Sequence, residues 1–155
     1  GPTRPARLRP GRLADLRSDL GIWSQPDRPS GRGQEVQPNA VSAWALARGL
    51  PLHRPERFDA GEDARLAALA PDLGVVMAYG QILRAPTLAV PRLGLVNLHG
   101  SLLPALRGAS PVEAALALGW SATGVSLQRV VRALDAGDVL ATEPVVIAPG
   151  QGRVA

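Results

Sequence analysis

Two short apolar runs constrain this chain more than anything else in it. Leu73–Ala78 in DLGVVMAYG is almost unbroken, bounded by Asp72 and Gly80, and Leu95–Leu98 in LGLVNLHG repeats the pattern. Runs of this length without polar alternation predict strands covered on both faces rather than half-exposed ones. The segments between and around them read as helices. Asn39 is placed to cap a helix through VSAWALARG that Gly49 ends, a second spans about Gly61–Leu69, and Pro111 opens a third over VEAALALG. TGVSLQRVV and DVLATEPVVIA supply two further strands, Pro144 marking the last as an edge or a bulge. Buried strands alternating with helices predict an α/β layered domain with a mainly parallel sheet.

The rest of the chain frames that domain. Residues 1–22 are dense in Arg, Pro and Gly and show no strand-like alternation, with at most a short helix over Leu13–Leu20. From Trp23 to Pro38, Pro26, Pro29 and Pro38 forbid a continuing helix or a central strand, so a long exposed loop is expected. The net charge of +4 carries little information about partners. Five arginines against two aspartates before residue 23 give +3 of it, and every basic residue is arginine. The chain has no cysteine and two histidines, which removes disulfides and thiolate chemistry and leaves no expected metal site. No apolar run approaches the roughly 18 residues a membrane span needs, and no secretion signal is evident, so a cytoplasmic protein is expected.

Chemistry concentrates at Asn97-Leu98-His99, which leaves a buried strand and enters Gly100-Ser101-Leu102-Leu103-Pro104. Residues i and i+2 of a strand share a face, so the Asn97 amide and His99 imidazole project together from a carboxyl strand end, where open α/β sheets bind ligands. A histidine satisfied by backbone carbonyls beside a turn-capping asparagine is the plainer reading. Asp135 and Asp138 flank Gly137 before the last strand, and an aspartate there is placed to hold the His99 tautomer, although Asp-x-Gly-Asp is also an ordinary turn.

Taken jointly, these residues resemble a known family. N-x-H-x-S-L-L-P at Asn97–Pro104, R-G-A-x-P at Arg107–Pro111 and L-D-x-G-D at Leu134–Asp138, with Asp135 lying 36 residues after His99, are similar to the catalytic domain of the methionyl-tRNA formyltransferases, within the folate-dependent formyltransferases. QPDRPSGRG and RGLPLHRPER extend the resemblance to about 23–149. It implies a Rossmann-like domain and transfer of a formyl group from 10-formyltetrahydrofolate to the amino group of initiator methionyl-tRNA, without a metal. Asn97, His99 and Asp135 match the catalytic trio, and Asp138 lies on the matching loop without being its catalytic member. Ser101, Leu102, Leu103 and Pro104 match a tetrahydrofolate contact. Met77, Ala78, Tyr79, Gly80, Ile82 and Leu83 match the lining of the pterin pocket, with plain core strand the competing reading for Met77. Arg32 matches an RNA-engaging loop, against which Gln34 and Glu35 stand where relatives often carry lysine. A monomer is expected.

The family also begins with a strand and an F-x-G-[ST]-P-x-F turn that 1–22 lack, and continues past the end of this chain into a helix and a β-barrel domain. The expectation is therefore a partial catalytic domain over 23–149, with 1–22 an unassigned tail, disordered or read out of frame, and 150–155 a second tail. Activity of such a chain is in doubt. A formyltransferase acting on an amino sugar nucleotide, or a nonfunctional or non-catalytic fragment, are the alternatives.

Overall fold

A computed structural model describes residues 21–30 and 35–150. Arg32, the tail 150–155 beyond its first residue, and the helix considered at Leu13–Leu20 lie outside the described residues. The chain divides into two units, 1–56 and 57–155.

In the first unit, β1 (Ile22–Trp23), β2 (Arg28–Ser30), β3 (Glu35–Gln37), α1 (Ala40–Ala47) and β4 (Leu52–His53) follow one another. β1 and β4 pair in parallel, Ile22 opposite Leu52 and Trp23 opposite His53, and the last two rings stack 4.6 Å apart. Asn39 caps α1 as the sequence predicts. Its Oδ1 accepts from the Ser42 N–H at 3.0 Å and from the Ser24 hydroxyl, while its Nδ2 donates to the Gln25 carbonyl. The stretch expected to be a plain loop differs: β2 and β3 form an antiparallel ribbon, Pro29 opposite Val36. Proline is tolerated there because a two-stranded ribbon leaves one side of each strand free of ladder bonds.

The second unit holds α2 (Ala60–Ala68), β5 (Gly74–Met77), α3 (Ala85–Leu88), β6 (Leu95–His99), α4 (Pro111–Ala117), β7 (Ala122–Arg129) and β8 (Val139–Val146). Asp59 caps α2 by accepting from the Gly61 and Glu62 N–H groups, and Asp63 accepts from Arg84 and from the Thr87 hydroxyl, tying α2 to α3. Phe58 and Tyr79 meet edge to face, and Phe58, Leu95, Val96 and Ala115 are buried.

Strand order in the sheet is β5-β6-β7-β8. The α/β Rossmann-like class expected from the sequence is the class observed, with β5 and β6 parallel as they are for β1 and β4. From β6 onward the sheet turns antiparallel, so the mainly parallel sheet expected from the sequence is parallel here only between β5 and β6. β7 and β8 are joined by a short return, which requires opposite directions. Pro144 sits on β8, at one end of the strand order, and the ladder slips at Leu127/Gln128.

A further expectation is corrected. β5 is not covered on both faces among the described residues: Val75 and Met77 are 66% and 67% exposed, while Gly74 and Val76 are half-buried. An apolar run records what a strand is able to bury, whereas the partners that cover it come from elsewhere in the chain.

Candidate active site

β6 and β7 build the site from a shared face. In the antiparallel register Asn97 lies opposite Gln128 and His99 opposite Ser126, so these four side chains point the same way. His99, Ser126 and Gln128 are 6%, 0% and 2% exposed, and Asn97 is half-buried.

His99 is held from both sides. Its Nε2 lies 2.9 Å from the Leu106 carbonyl oxygen, which only accepts, so Nε2 carries a hydrogen. Its Nδ1 faces Asp135 Oδ2 at 3.7 Å, an electrostatic approach too long for a hydrogen bond. Asp135 in turn is fixed through both oxygens. Oδ2 accepts from the Gly108 N–H and Oδ1 from the Gln128 amide, each at 2.8 Å.

Backbone strain surrounds the same ring. Leu106 and Asp135, the two residues flanking His99, both have left-handed backbones, φ 53° and φ 46°. Non-glycine residues hold such angles only where the surroundings over-determine them, and such outliers cluster at functional sites. Two residues on, Gly137 is required by close approach, since a Cβ there would fall on the Arg129 carbonyl. The Asp-Ala-Gly-Asp segment is thus both an ordinary turn and the support that turns Asp135 inward, with Asp138 left exposed.

The loop after β6 is fastened by β7. Ser126 Oγ donates to the Ser101 carbonyl at 2.7 Å and accepts from the Leu103 N–H at 3.0 Å, and the buried Ser101 hydroxyl donates to the Ala105 carbonyl at 2.5 Å. Ser101 therefore acts on the loop itself. Leu102 packs over Gly124, where a Cβ would strike its side chain, and the Leu103–Pro104 bond is cis.

The stretch matched to a pterin pocket lies after β5. Met77 and Ile82 are exposed, Ala78 has φ 45° and Gly80 φ 76°, and Tyr79 and Leu83 are half-buried. Burial, with the Glu62 carboxylate adding to it, raises the pKa of the Tyr79 hydroxyl, which keeps it a donor at neutral pH. Gln81 from this stretch accepts from the Phe58 N–H at 2.7 Å.

The structure brings His99 and Asp135 together and puts Asn97 on their face of β6. It adds four groups that sequence reasoning missed: the Leu106 carbonyl, the Gly108 N–H, Ser126 and Gln128. The first two are backbone groups with no side-chain signature. The last two had one, since Ser126 and Gln128 alternate with Val125 and Leu127 along a strand. Among the described residues no three His, Cys, Asp or Glu side chains converge as metal ligands, and no helix is long and apolar enough to cross a membrane.

Known proteins share both sequence and fold. A family profile described as formyl transferase matches residues 16–154. Methionyl-tRNA formyltransferase of Halorhodospira halophila is 51% identical over 122 residues, covering 79% of this chain and 39% of its own length. That of Methylococcus capsulatus is 49% identical over 129 residues, covering 83% and 42%. The chain thus spans about two fifths of the length of these relatives. Among solved structures, glycinamide ribonucleotide transformylase 1 of Symbiobacterium toebii matches with a TM-score of 0.65 at 27% identity over 74% of this chain and 58% of that one. Phosphoribosylglycinamide formyltransferase of Streptococcus pneumoniae reaches 0.70 at 19% identity over 84% and 83%, a likeness of fold.

Proposed function

The chain belongs to the formyl transferase family, and from that premise we propose that its site transfers a formyl group from 10-formyltetrahydrofolate to the amino group of methionyl-tRNA. The observation that carries this reading is a buried imidazole set between the Asp135 carboxylate and the Leu106 carbonyl, with Asn97 two residues away on the same face.

The amine lone pair attacks the formyl carbon, and the carbonyl electrons move onto oxygen. The Asn97 amide, on the same face of β6 as His99, stabilises that oxyanion, and the His99 Nε2–H joins it by turning from the Leu106 carbonyl to the formyl oxygen. Loss of one such donor typically costs about 3–4 kcal/mol in the barrier. The carbon–nitrogen bond to the folate then breaks, its electron pair leaving with the folate nitrogen, which takes up a proton. Asp135 orients His99 and, through a water, carries the proton the amine loses. No covalent enzyme intermediate is needed.

Backbone at Leu102–Pro104 and along Met77–Leu83 is assigned to the flat pterin, whose edge takes main-chain donors and acceptors. The Ser101 hydroxyl is committed to the loop and is assigned no direct contact. Methionyl-tRNA is preferred as acceptor because the relatives at 49–51% identity are so named, whereas the ribonucleotide-directed structures stand at 19–27%. Arg32 is proposed as a phosphate contact, and the protein as a cytoplasmic monomer.

The test is thermal unfolding of the chain with and without a stable 10-formyltetrahydrofolate analogue, for wild type and His99→Ala, followed by formyl transfer to methionyl-tRNA, an amino sugar nucleotide and glycinamide ribonucleotide. An analogue at about 100 times its Kd adds about 2.7 kcal/mol, a rise in Tm of roughly 5–10 °C. His99→Ala is expected to keep that rise and lose transfer by about 100-fold or more. An unfolding transition indifferent to the analogue rejects the folate site and favours a non-catalytic fragment. Transfer to the amino sugar alone moves the acceptor to that class.

A further inference from the structure

We propose that Gln128 is a positioning residue for Asp135, fixing the plane of its carboxylate so that one oxygen faces His99. The inference rests on the formyl-transfer reading above. Gln128 lies in β7 opposite Asn97, is 2% exposed, and donates from Nε2 to Asp135 Oδ1 at 2.8 Å. A carboxylate only accepts hydrogen bonds, so the amide must turn its NH2 toward it. The price is visible at the other end: Gln128 Oε1 is buried and has no hydrogen-bond partner among the described residues.

A buried amide satisfied at one end only is a poor stabiliser, and an apolar side chain of equal length fills the same space without the unpaired oxygen. What Gln128 provides is direction. Among the described residues Asp135 Oδ2 accepts a hydrogen bond from the Gly108 N–H alone, and a carboxylate held through one oxygen pivots about that bond. The second bond, at Oδ1, stops the pivot and presents Oδ2 to His99 Nδ1 at 3.7 Å. The backbone cannot do this by itself, because the left-handed φ of Asp135 aims the side chain without setting its terminal rotation.

Gln128→Met, which keeps length and removes the donor, and Gln128→Glu, which sets a second carboxylate against Asp135, test the assignment in the full chain. For Gln128→Met the loss of the unpaired amide oxygen offsets part of the cost of leaving Asp135 Oδ1 without its donor, and the Tm is expected to fall by no more than a few degrees. In the same variant kcat falls about 10–100-fold, the scale of a small misplacement at a reacting centre, with KM for 10-formyltetrahydrofolate within about threefold. Gln128→Glu is expected to lose more kcat than Gln128→Met. The ring-nitrogen resonances of His99, read by 15N NMR without any ligand, shift in both variants. A kcat that falls only in step with the folded fraction marks a structural role and overturns the proposal, as does an unchanged kcat. Should the wild-type chain transfer no formyl group, the reading above fails, and the NMR comparison decides Gln128 alone: unchanged His99 resonances in Gln128→Met reject it.

Discussion

The two faces of the β5–β8 sheet invert the usual distribution of polarity. On the face carrying Asn97, His99, Ser126 and Gln128, the last three polar side chains are at most 6% exposed. On the opposite face, where the register aligns Val75 with Val96 and Met77 with Leu98, and Leu98 with Leu127, several apolar side chains remain open, Val75 at 66% and Val125 at 38%. The difference separates two kinds of cohesion. Apolar contact is non-directional and tolerates substitution, whereas the polar face is held by short hydrogen bonds that each specify an orientation. A site that must aim one imidazole needs the second kind.

The contrast is broken most severely by Asp135→Asn. Asparagine accepts the left-handed backbone and keeps the fold, while the charge facing His99 is lost. Formyl transfer in single turnover is expected to fall by about 100-fold or more, and a loss under fivefold would remove Asp135 from the mechanism. Ser126→Ala acts next, leaving the Leu103 N–H and the Ser101 carbonyl without the hydroxyl they share. It is expected to cost about 1–3 kcal/mol in urea unfolding, and a change below about 0.5 kcal/mol would mean the loop is fastened by other means. Val75→Thr sharpens the comparison from the other side. Its stability change is expected within about 0.5 kcal/mol, and a loss well above that would show this face to be packed in solution.

Local signals in the sequence were sufficient for the longer elements and insufficient for the short ones and for their surroundings. Asn39 and Pro111 marked helix starts because capping chemistry is written within one turn, and the runs at Leu73 and Leu95 marked strands because apolar content is local too. Which face of a strand is buried is a non-local fact. In β7 the natural expectation turns Val125 and Leu127 inward, yet pairing with β6 buries Ser126 and Gln128. That Asn97 and His99 share a face and that Asp135 meets His99 was legible because strand geometry and a shared motif pointed to the same residues. The ribbon of β2 and β3 was not, since Pro26, Pro29 and Pro38 speak only against central strands.

The pairing of β6 with β7 also sets which kinds of genetic change the site can survive. Side chains alternate with a period of two, so an insertion or deletion of one residue between Ala122 and Gln128 that shifts the ladder would carry Val125 or Leu127 into the place of Ser126 and Gln128. Neighbouring positions can drift one residue at a time while the machinery stays intact. Changes in length cannot be absorbed within these strands and are confined to the loops beyond them.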